Sequence, residues 1–315
     1  MIKLDLITGF LGSGKTTFLK KYASYLLSQG EKLCIIENDF GAINVDMVLL
    51  KELEKEGCNL EMVVGGDGAE AHKRRLKTKL ISMAMQGFTR VIIEPSGIYD
   101  VDEFFDLQYE EPLDRWYEIG NVIAVINPKM NENMSEASRY IYMEEAARAG
   151  MVLISRYSEC TESEINLAIE CLQNAMKDFG CQRCIKREAI LAKDWRKLDK
   201  SDFDKIVKCG FNQNNHVKIP IQESESFQTL FYFDYSMDEE ELLAATKKVF
   251  DDAECGLVHR IKGIVKSSDG RMFELNTTRN EKMTRAVTSS TAILIIIGEK
   301  LNKDKIATYL GIPSL

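Results

Sequence analysis

The residues of this chain whose types and spacing best fit a chemical role directly follow its first apolar run. Residues 9–17 read Gly-Phe-Leu-Gly-Ser-Gly-Lys-Thr-Thr, which is the G-x(4)-G-K-T spacing of a Walker A motif. Glycines let the backbone curl so that its amides point at an anion. Lys15 is expected to reach the β and γ phosphates, and the Thr16 hydroxyl to ligate Mg²⁺. The remaining contacts to a nucleotide are expected from Gly9, Gly12, Ser13, Gly14 and Thr17.

The flanking sequence supplies the setting that this motif needs. An apolar run at residues 4–8 predicts a strand before the loop, and Gly30 marks the end of a helix after it. The helix is predicted from apolar residues at helical spacing, namely Phe18, Leu19, Tyr22 and Leu26. A chance match in a glycine-rich turn would lack this strand–loop–helix order, so the segment predicts a nucleoside triphosphate site.

Two further apolar runs end in acidic residues. One ends in Glu94, with Gly97 three positions on, as in a Walker B strand whose carboxylate serves Mg²⁺ and whose glycine amide senses the γ phosphate. The other breaks into Glu37 and Asp39, which could bind Mg²⁺, position the attacking water or form a nucleotide-sensitive switch. The alternatives are a buried strand ending in a turn and a solvated loop. We predict catalytic roles for Lys15, Glu37, Asp39 and Glu94, and Mg²⁺ ligation by Thr16, Asp39 and Glu94.

Composition narrows the class of protein. The chain has 315 residues, enough for about two domains, with 45% hydrophobic and 29% charged residues. Its formal charge of −8 argues against nonspecific nucleic-acid binding. The first strand carries Lys3 and Asp5, so no signal peptide is expected, and the aliphatic stretch Ala292–Ile297 is too short to span a bilayer. Eight scattered cysteines favour reduced thiols. We therefore expect a cytoplasmic protein without nucleic-acid or membrane partners.

The order of apolar and helical patterns predicts an α/β fold followed by a smaller α+β domain. Strands are predicted at 32–37, 90–94, 121–127 and 151–155, with helices near 16–29, 70–87, 135–149 and 162–179. This alternation predicts a doubly wound, mostly parallel sheet of the P-loop NTPase type, in domain 1–212. After a linker around 211–227, domain 226–315 is predicted to contain strands at 229–234, 257–266, 271–276 and 292–297, and helices at 238–251 and 303–310.

These segments resemble the CobW family of cobalamin-synthesis and metallochaperone GTPases. The resemblance is carried by Thr-Gly-Phe-Leu-Gly-Ser-Gly-Lys-Thr-Thr at 8–17, Glu-Asn-Asp-Phe-Gly at 37–41 with Asp46, Glu-Pro-Ser-Gly at 94–97, Val-His-Arg-Ile-Lys-Gly at 258–263 and Ile-Ile-Gly at 296–298. It covers essentially the whole chain. It implies a GTPase that couples hydrolysis to delivery of a metal or metal cofactor to a client, such as a metal- or corrinoid-dependent enzyme.

The first departure from that family concerns transition metals. The family carries a Cys-x-Cys-Cys motif where this chain reads Gly-Gly-Asp-Gly-Ala-Glu-Ala-His at 65–72. Asp67, Glu70 and His72 offer a harder set of oxygen and nitrogen ligands as a candidate second metal site. The basic run at 73–75 would repel a cation, so the alternative is a helix start with acids in its first turn.

The second departure concerns the base. Asn-Lys-x-Asp of such GTPases is replaced by Ser-Arg-Tyr-Ser at 155–158. Ser155 and Arg156 are expected beside the base, and Arg156 can stack on it, but Ser158 cannot supply a bidentate carboxylate. Glu159 or a backbone group would have to substitute. GTP is expected from the resemblance, and ATP stays an alternative.

Other candidate features have simpler interpretations. Cys181 and Cys184 form half a zinc ligand set, and we expect packing or surface thiols instead. Trp116 and Trp195 are expected as core or interface aromatics, and the acidic cluster at 100–111 as a solvated face. Three functions therefore remain: metal delivery driven by nucleotide hydrolysis, a metal-free nucleotide-dependent switch that assists a partner, and a degenerate scaffold without nucleotide, which the intact Walker A motif disfavours.

Overall fold

The computed structural model of the chain describes residues 1–39, 46–64, 69–130, 134–213, 226–288 and 291–312, without the side chains of 39, 46–49 and 69. The chain forms two compact units, Met1–Ile219 and Pro220–Leu315. Because residues 214–225 lie outside the described part, the predicted domain limits of 1–212 and 226–315 stay a prediction.

The first unit is built on a seven-stranded parallel sheet. Its strands are β1 (Ile2–Thr8), β2 (Leu33–Asp39), β3 (Asn59–Val64), β4 (Arg90–Pro95), β5 (Tyr117–Ile126), β6 (Met151–Ile154) and β7 (Ile190–Leu191). Their order across the sheet is β3-β2-β4-β1-β5-β6-β7, and every pairing is parallel. The carboxyl ends of β1, β2 and β4 therefore lie side by side at one edge of the sheet, where α/β proteins bind ligands.

Helices connect these strands and cover the sheet. They are α1 (Lys15–Ser28), α2 (Asp46–Lys55), α3 (Ala69–Met85), α4 (Val101–Gln108), α5 (Leu113–Trp116), α6 (Glu136–Ala147), α7 (Glu162–Asp178) and α8 (Lys200–Ile206). The inner strand β4 is buried along its whole length, as expected for a parallel sheet covered on both faces. The predicted α/β fold is confirmed. Within the described residues, no helix is both long enough and apolar enough to span a membrane.

The helix after the glycine-rich loop is held by apolar packing from one of its sides. Phe18, Leu19 and Leu26 are at most 1% exposed and pack in one cluster with Ile7 of β1 and Ile35 of β2. These are the helical positions that the sequence pattern selected, since residues three and four apart share a face. Burial of this side fixes the axis of α1, and hence the direction in which its first turn points.

A buried polar network lies at the end of the sheet opposite to the glycine-rich loop. The Asp5 carboxylate accepts from the Arg90 guanidinium at 2.7 Å, from the Tyr22 hydroxyl at 2.8 Å and from the Asn121 amide at 2.8 Å. Arg90 and Asp5 are 5% and 0% exposed. Burial, with the Asp5 charge, raises the pKa of Tyr22. The network ties β1, β4, β5 and α1 together through groups that need one another to be buried.

The sequence patterns did not predict α2, α4, α5, α8, β3 or β7. β3 is an edge strand that pairs only with β2, and its burial is incomplete. The Arg75 guanidinium donates to the Val64 carbonyl at the end of β3, at 2.9 Å. At the other edge, β7 contributes two residues, Ile190 and Leu191. Weakly patterned edge strands of this kind carry too little apolar signal to be recognised from sequence.

The second unit is a small α+β domain, as predicted. Its antiparallel sheet runs β11-β10-β9-β12-β8. The strands are β8 (Gln228–Phe233), β9 (Leu257–Lys266), β10 (Met272–Thr278), β11 (Glu281–Ala286) and β12 (Ile293–Glu299), with helices α9 (Glu239–Asp251) and α10 (Lys303–Tyr309). Val249 of α9 and Ile306 of α10 are fully buried in one cluster with Ile261 and Ile296 of the central strands. The sequence patterns missed β11 alone among these elements.

Candidate nucleotide site

The glycine-rich loop between β1 and α1 is shaped by backbone conformations that favour glycine. Gly9, Gly12 and Gly14 have φ values of 145°, 71° and 103°. A Cβ atom at Gly9 would lie 2.3 Å from the Val125 carbonyl oxygen, so β5 also requires glycine there. The Ser13 amide closes the turn by donating to the Phe10 carbonyl at 3.0 Å. The loop is therefore a tight curl directly before the N-terminus of α1, where an anion is favoured.

Lys15 is held inside this curl. Lys15 is only 6% exposed, and its Nζ atom donates to the Gly9 carbonyl at 2.8 Å. A lysine buried this far costs free energy unless its charge is matched. The loop thus presents a fixed positive charge at the place where the sequence predicts phosphate.

Thr16 and Glu94 meet at the end of the sheet. The Thr16 hydroxyl donates to Glu94 Oε1 at 2.7 Å, and Glu94 is 4% exposed. The contact forms because β1 and β4 are neighbours, so that the start of α1 lies against the tip of β4. Thr16 and Glu94, two of the three predicted Mg²⁺ ligands, are therefore adjacent.

Glu37 lies in the same region, one strand further out. Glu37 of β2 is in register with Glu94 of β4, and it is 3% exposed. Asp39 ends β2, but its side chain is outside the described part, and residues 40–45 are not described. The structure thus places Glu37 level with Glu94, and the predicted role of Asp39 stays a prediction.

Gly97 packs directly against the glycine-rich loop. A Cβ atom at this position would lie 2.5 Å from the Leu11 amide nitrogen and 2.9 Å from the Phe10 carbonyl carbon. Because both neighbours are backbone atoms, only glycine fits without moving the loop. The segment after Glu94 and the phosphate loop are therefore in contact through main chain.

On the side of the loop where the sequence predicts the base, the structure brings Ser155 and Trp195 to the loop. The Ser155 hydroxyl donates to the Ile126 carbonyl at 3.1 Å, and Ser155 is 2% exposed. A Cβ atom at Gly14 would lie 3.5 Å from Ser155 Cβ and 3.6 Å from the Trp195 ring. Arg156 follows with a left-handed φ of 50°. Ser155 therefore supports the loop from behind, with its hydroxyl already bonded to the main chain.

A pocket of about 760 Å³ opens beside these residues. It extends from Thr16 and Thr17 along α1 to Trp195 and Arg196. The Arg196 guanidinium lies 2.8 Å from the Asp194 carboxylate and lowers the pKa of Asp194 to about 2. The pocket adjoins the phosphate loop and is large enough for part of a nucleotide. Trp195, which the sequence predicts as a core or interface aromatic, packs against the hydrophobic cluster around α1 and also lines this pocket, which no local pattern indicates.

The predicted second metal site is only partly described. Asp67 lies outside the described residues, Glu70 is exposed, and His72 is 1% exposed. Among the described residues, one group of acidic side chains lies close enough together to hold an ion: Asp100, Asp102 and Glu144. The Arg148 guanidinium lies 2.8 Å from Asp102 and supplies a positive charge there.

The structure describes the cysteines and the acidic segment at 100–111, for which the sequence predicts simple structural roles. None of the eight cysteines forms a disulfide bond; Cys181 is buried and Cys184 is exposed. The acidic segment at 100–111 contains α4, whose apolar side chains Val101, Phe104, Phe105 and Leu107 are buried. Its acids therefore lie on an amphipathic helix instead of a fully solvated face.

The chain is similar to two curated bacterial proteins. It is 27% identical over 166 residues to the zinc chaperone YeiR of Escherichia coli (strain K12), covering 52% of this chain and 49% of YeiR. It is also 27% identical over 176 residues to the zinc chaperone YjiA of the same organism, covering 52% of each. The chain thus spans about half the length of these relatives.

Solved structures show looser similarity. The Zn(II)-bound YjiA GTPase from E. coli matches over 99% of both chains at 17% identity, with a TM-score of 0.36. The hydrogenase maturation factor HypB from Archaeoglobus fulgidus matches 66% of this chain and 87% of its own at 16% identity, with a TM-score of 0.42. Family membership is therefore shown by the sequence instead. The family described as CobW/HypB/UreG, nucleotide-binding domain, matches residues 4–179, more than half of the chain, and the chain belongs to this family.

Proposed function

We propose that this protein binds and hydrolyses a nucleoside triphosphate with Mg²⁺, GTP being the expected one, and couples hydrolysis to delivery of a metal or metal cofactor to a client protein. The observation that supports it most is the pairing of the buried Lys15 with the Thr16–Glu94 contact at one edge of the sheet. A fixed cation for phosphate and two adjacent oxygen ligands are what phosphoryl transfer requires.

Each predicted residue then has a defined task. Lys15 neutralises the oxygens between the β and γ phosphates, and the loop from Gly9 to Thr17 holds the phosphates by backbone amides. Thr16 and Glu94 fit Mg²⁺, which prefers oxygen ligands, with Asp39 completing the set. The ion supplies charge neutralisation when it is bound. Glu37, in register with Glu94, aligns the attacking water.

Metal delivery is supported by the family and by the similarity to YeiR and YjiA, which are zinc chaperones. The usual thiolates are replaced at 65–72, so the cargo ion would use Asp67, Glu70 and His72 or another set. The client is then an enzyme that depends on that metal or on a corrinoid.

A second candidate function is a metal-free switch whose partner binding follows the nucleotide state. It is favoured by the loss of all three thiolates at 65–72, together with the near-complete burial of His72. Relaxed base choice belongs to either candidate, because Ser158 lacks a carboxylate and the Ser155 hydroxyl is already bonded to Ile126. ATP would then bind about as well as GTP.

Calorimetry with Mg²⁺ and GTP, GDP, ATP or ADP, with and without one equivalent of Zn²⁺ or Co²⁺, separates these candidates. Guanine-selective binding that changes with Zn²⁺ or Co²⁺ supports metal delivery, whereas binding indifferent to both metals supports the switch. Lys15→Ala should abolish triphosphate binding or turnover. Lys3→Ala is the control, since Lys3 is half-buried at the far end of β1 and pairs with Glu118 at 3.0 Å. Normal turnover by Lys15→Ala would overturn the assignment.

A further inference from the structure

An aromatic side chain lies beside the phosphate loop and has no task in the function proposed so far. Trp195 follows β7, and its ring lies 3.6 Å from the position that a Cβ atom would take at Gly14. The same position is 3.5 Å from Ser155 Cβ. Trp195 is therefore next to the residue that directly precedes Lys15 and the start of α1.

The ring of Trp195 is held in place by its neighbours. Its centroid lies 5.6 Å from that of Phe18, which is fully buried on α1. Directly before it, the Asp194 carboxylate accepts from the Arg196 amide at 3.0 Å and so begins the short 3-10 helix Trp195–Lys197. A ring that is fixed in advance loses little conformational entropy when a flat ligand stacks on it.

The pocket beside the phosphate loop has aromatic walls as well as polar ones. Its volume is about 760 Å³, and its aromatic side chains are Tyr25, Trp195 and Phe203. The rings of Tyr25 and Phe203 are stacked, with centroids 4.7 Å apart. The pocket begins at Thr16 and Thr17, directly after the lysine expected at the β and γ phosphates. A nucleoside attached to phosphates in the loop would therefore have an aromatic surface within reach.

The polar groups expected beside the base offer little discrimination between bases. The Ser155 hydroxyl is already bonded to the Ile126 carbonyl, and Ser158 carries no carboxylate. Glu159, the expected substitute, has its carboxylate 3.1 Å from the Lys129 ammonium. Contact with the face of the base is therefore left as the main source of base affinity, and every base has such a face.

We propose that Trp195 binds the base of the nucleotide by stacking, so that the site takes purine nucleoside triphosphates as a class and does not select guanine from adenine. This inference rests on the proposed nucleotide-binding function and deepens it. Stacking replaces the reading of the base edge by contact with its face. Purines are favoured over pyrimidines, because their larger ring system covers more of the indole.

Tryptophan fluorescence tests this contact directly in the full chain. The chain has two tryptophans, and Trp116 lines a separate pocket with Met1 and Ile2 at the start of β1. Trp116→Phe therefore leaves Trp195 as the single indole fluorophore. In this variant, freed of copurified nucleotide, MgGTP and MgATP should quench the emission. Inorganic tripolyphosphate with Mg²⁺ should bind the loop and leave the emission nearly unchanged.

Calorimetry of substituted chains separates stacking from structural support. Trp195→Leu removes the aromatic face, and should weaken binding of MgATP and MgGTP about tenfold or more while the affinity for tripolyphosphate stays within about twofold. Trp195→Phe keeps a smaller aromatic ring and should lose less affinity than Trp195→Leu. Trp116→Leu is the matched control and should leave every affinity unchanged. The wild type should bind MgUTP about tenfold more weakly than MgATP.

The outcomes distinguish this inference from the proposed function. Equal weakening of MgATP and tripolyphosphate by Trp195→Leu would show a structural role and overturn the inference. Nucleotide binding without quenching, equal affinity for MgUTP and MgATP, or unchanged binding by a folded Trp195→Leu would overturn it too. If thermal melting shows that Trp195→Leu is unfolded, quenching and the Trp195→Phe affinities decide. If the wild type binds neither triphosphate nor tripolyphosphate, the proposed function itself fails.

Discussion

Replacing Gly97 by alanine should separate the segment after Glu94 from the phosphate loop. The added methyl carbon would lie 2.5 Å from the Leu11 nitrogen, 2.7 Å from the Leu11 Cα and 2.9 Å from the Phe10 carbonyl carbon. All three are backbone atoms, so no side chain can rotate away. Gly97 does not have a left-handed φ, and the cost of the substitution therefore comes from contact alone.

The size of the effect follows from the distance that must be gained. To reach ordinary van der Waals contact at 3.4 Å, the loop and Gly97 must move apart by about 0.9 Å. Overpacking of this kind costs about 1–3 kcal/mol of stability, which corresponds to a fall in Tm of about 2–12 °C for a domain of this size. A displacement of about 1 Å between groups that must align for reaction lowers turnover about 100-fold.

The assay compares triphosphate hydrolysis and calorimetric nucleotide affinity with Tm for Gly97→Ala and a matched glycine variant. Gly87→Ala is suitable, because Gly87 has a φ of +76° and nothing within 4 Å of an added Cβ. It should lose about 1–2 kcal/mol through backbone strain and keep its nucleotide affinity and turnover. If Gly97→Ala hydrolysed and bound nucleotide like the wild type, the described contact between Gly97 and the loop would be refuted.

Two other predictions concern buried groups of the first unit. Arg90→Ala should destabilise the first unit by about 3–5 kcal/mol, because it leaves the Asp5 carboxylate buried without its cation. Urea unfolding measures this loss of stability, and a loss below about 1 kcal/mol would contradict the described network around Asp5. Burial raises the pKa of the Cys34 and Cys209 thiols to about 12. At pH 8, native iodoacetamide labelling read by mass spectrometry should therefore modify the exposed Cys184 and spare both of them; rapid labelling of Cys34 would contradict its described burial.

The parts of the site that are close together in sequence could be predicted from it. The Walker A spacing and the helical pattern after it predicted the loop, Lys15 and α1, because each depends on local backbone rules. The pairing of Thr16 with Glu94 also follows, since neighbouring parallel strands bring their carboxyl ends to one edge. The family resemblance stated from these motifs is confirmed by the match to residues 4–179.

What the sequence could not show depends on packing between distant segments. Trp195 lies against Gly14 because the chain returns to the phosphate loop after β7. The strand β7 is only two residues long, so the sequence hardly indicates it. Glu145 is acidic, and an acid on a helix is ordinarily expected at the surface. α6 is buried along most of its length, and Glu145 is buried with it. The sequence does not indicate this, because the apolar residues of α6 do not define a single face.

Weakly patterned strands were missed for a related reason. β11, Glu-Lys-Met-Thr-Arg-Ala, is largely exposed and is held by its antiparallel pairing with β10. β3 is likewise half-buried at the edge of its sheet. In such strands the backbone ladder, and not side-chain burial, determines the conformation, so composition carries little information.

The edge strands of the two sheets affect how the protein behaves at high concentration. An open strand edge is a template on which a second molecule can add its own strand and begin a fibre. Here β7 offers two residues, Arg75 already occupies the Val64 carbonyl at the end of β3, and β11 presents the exposed Lys282 and Arg285. These three edges give a neighbouring copy little to extend. The fourth edge strand, β8, has no charged side chain, so it is the least protected of the four edges against added strands.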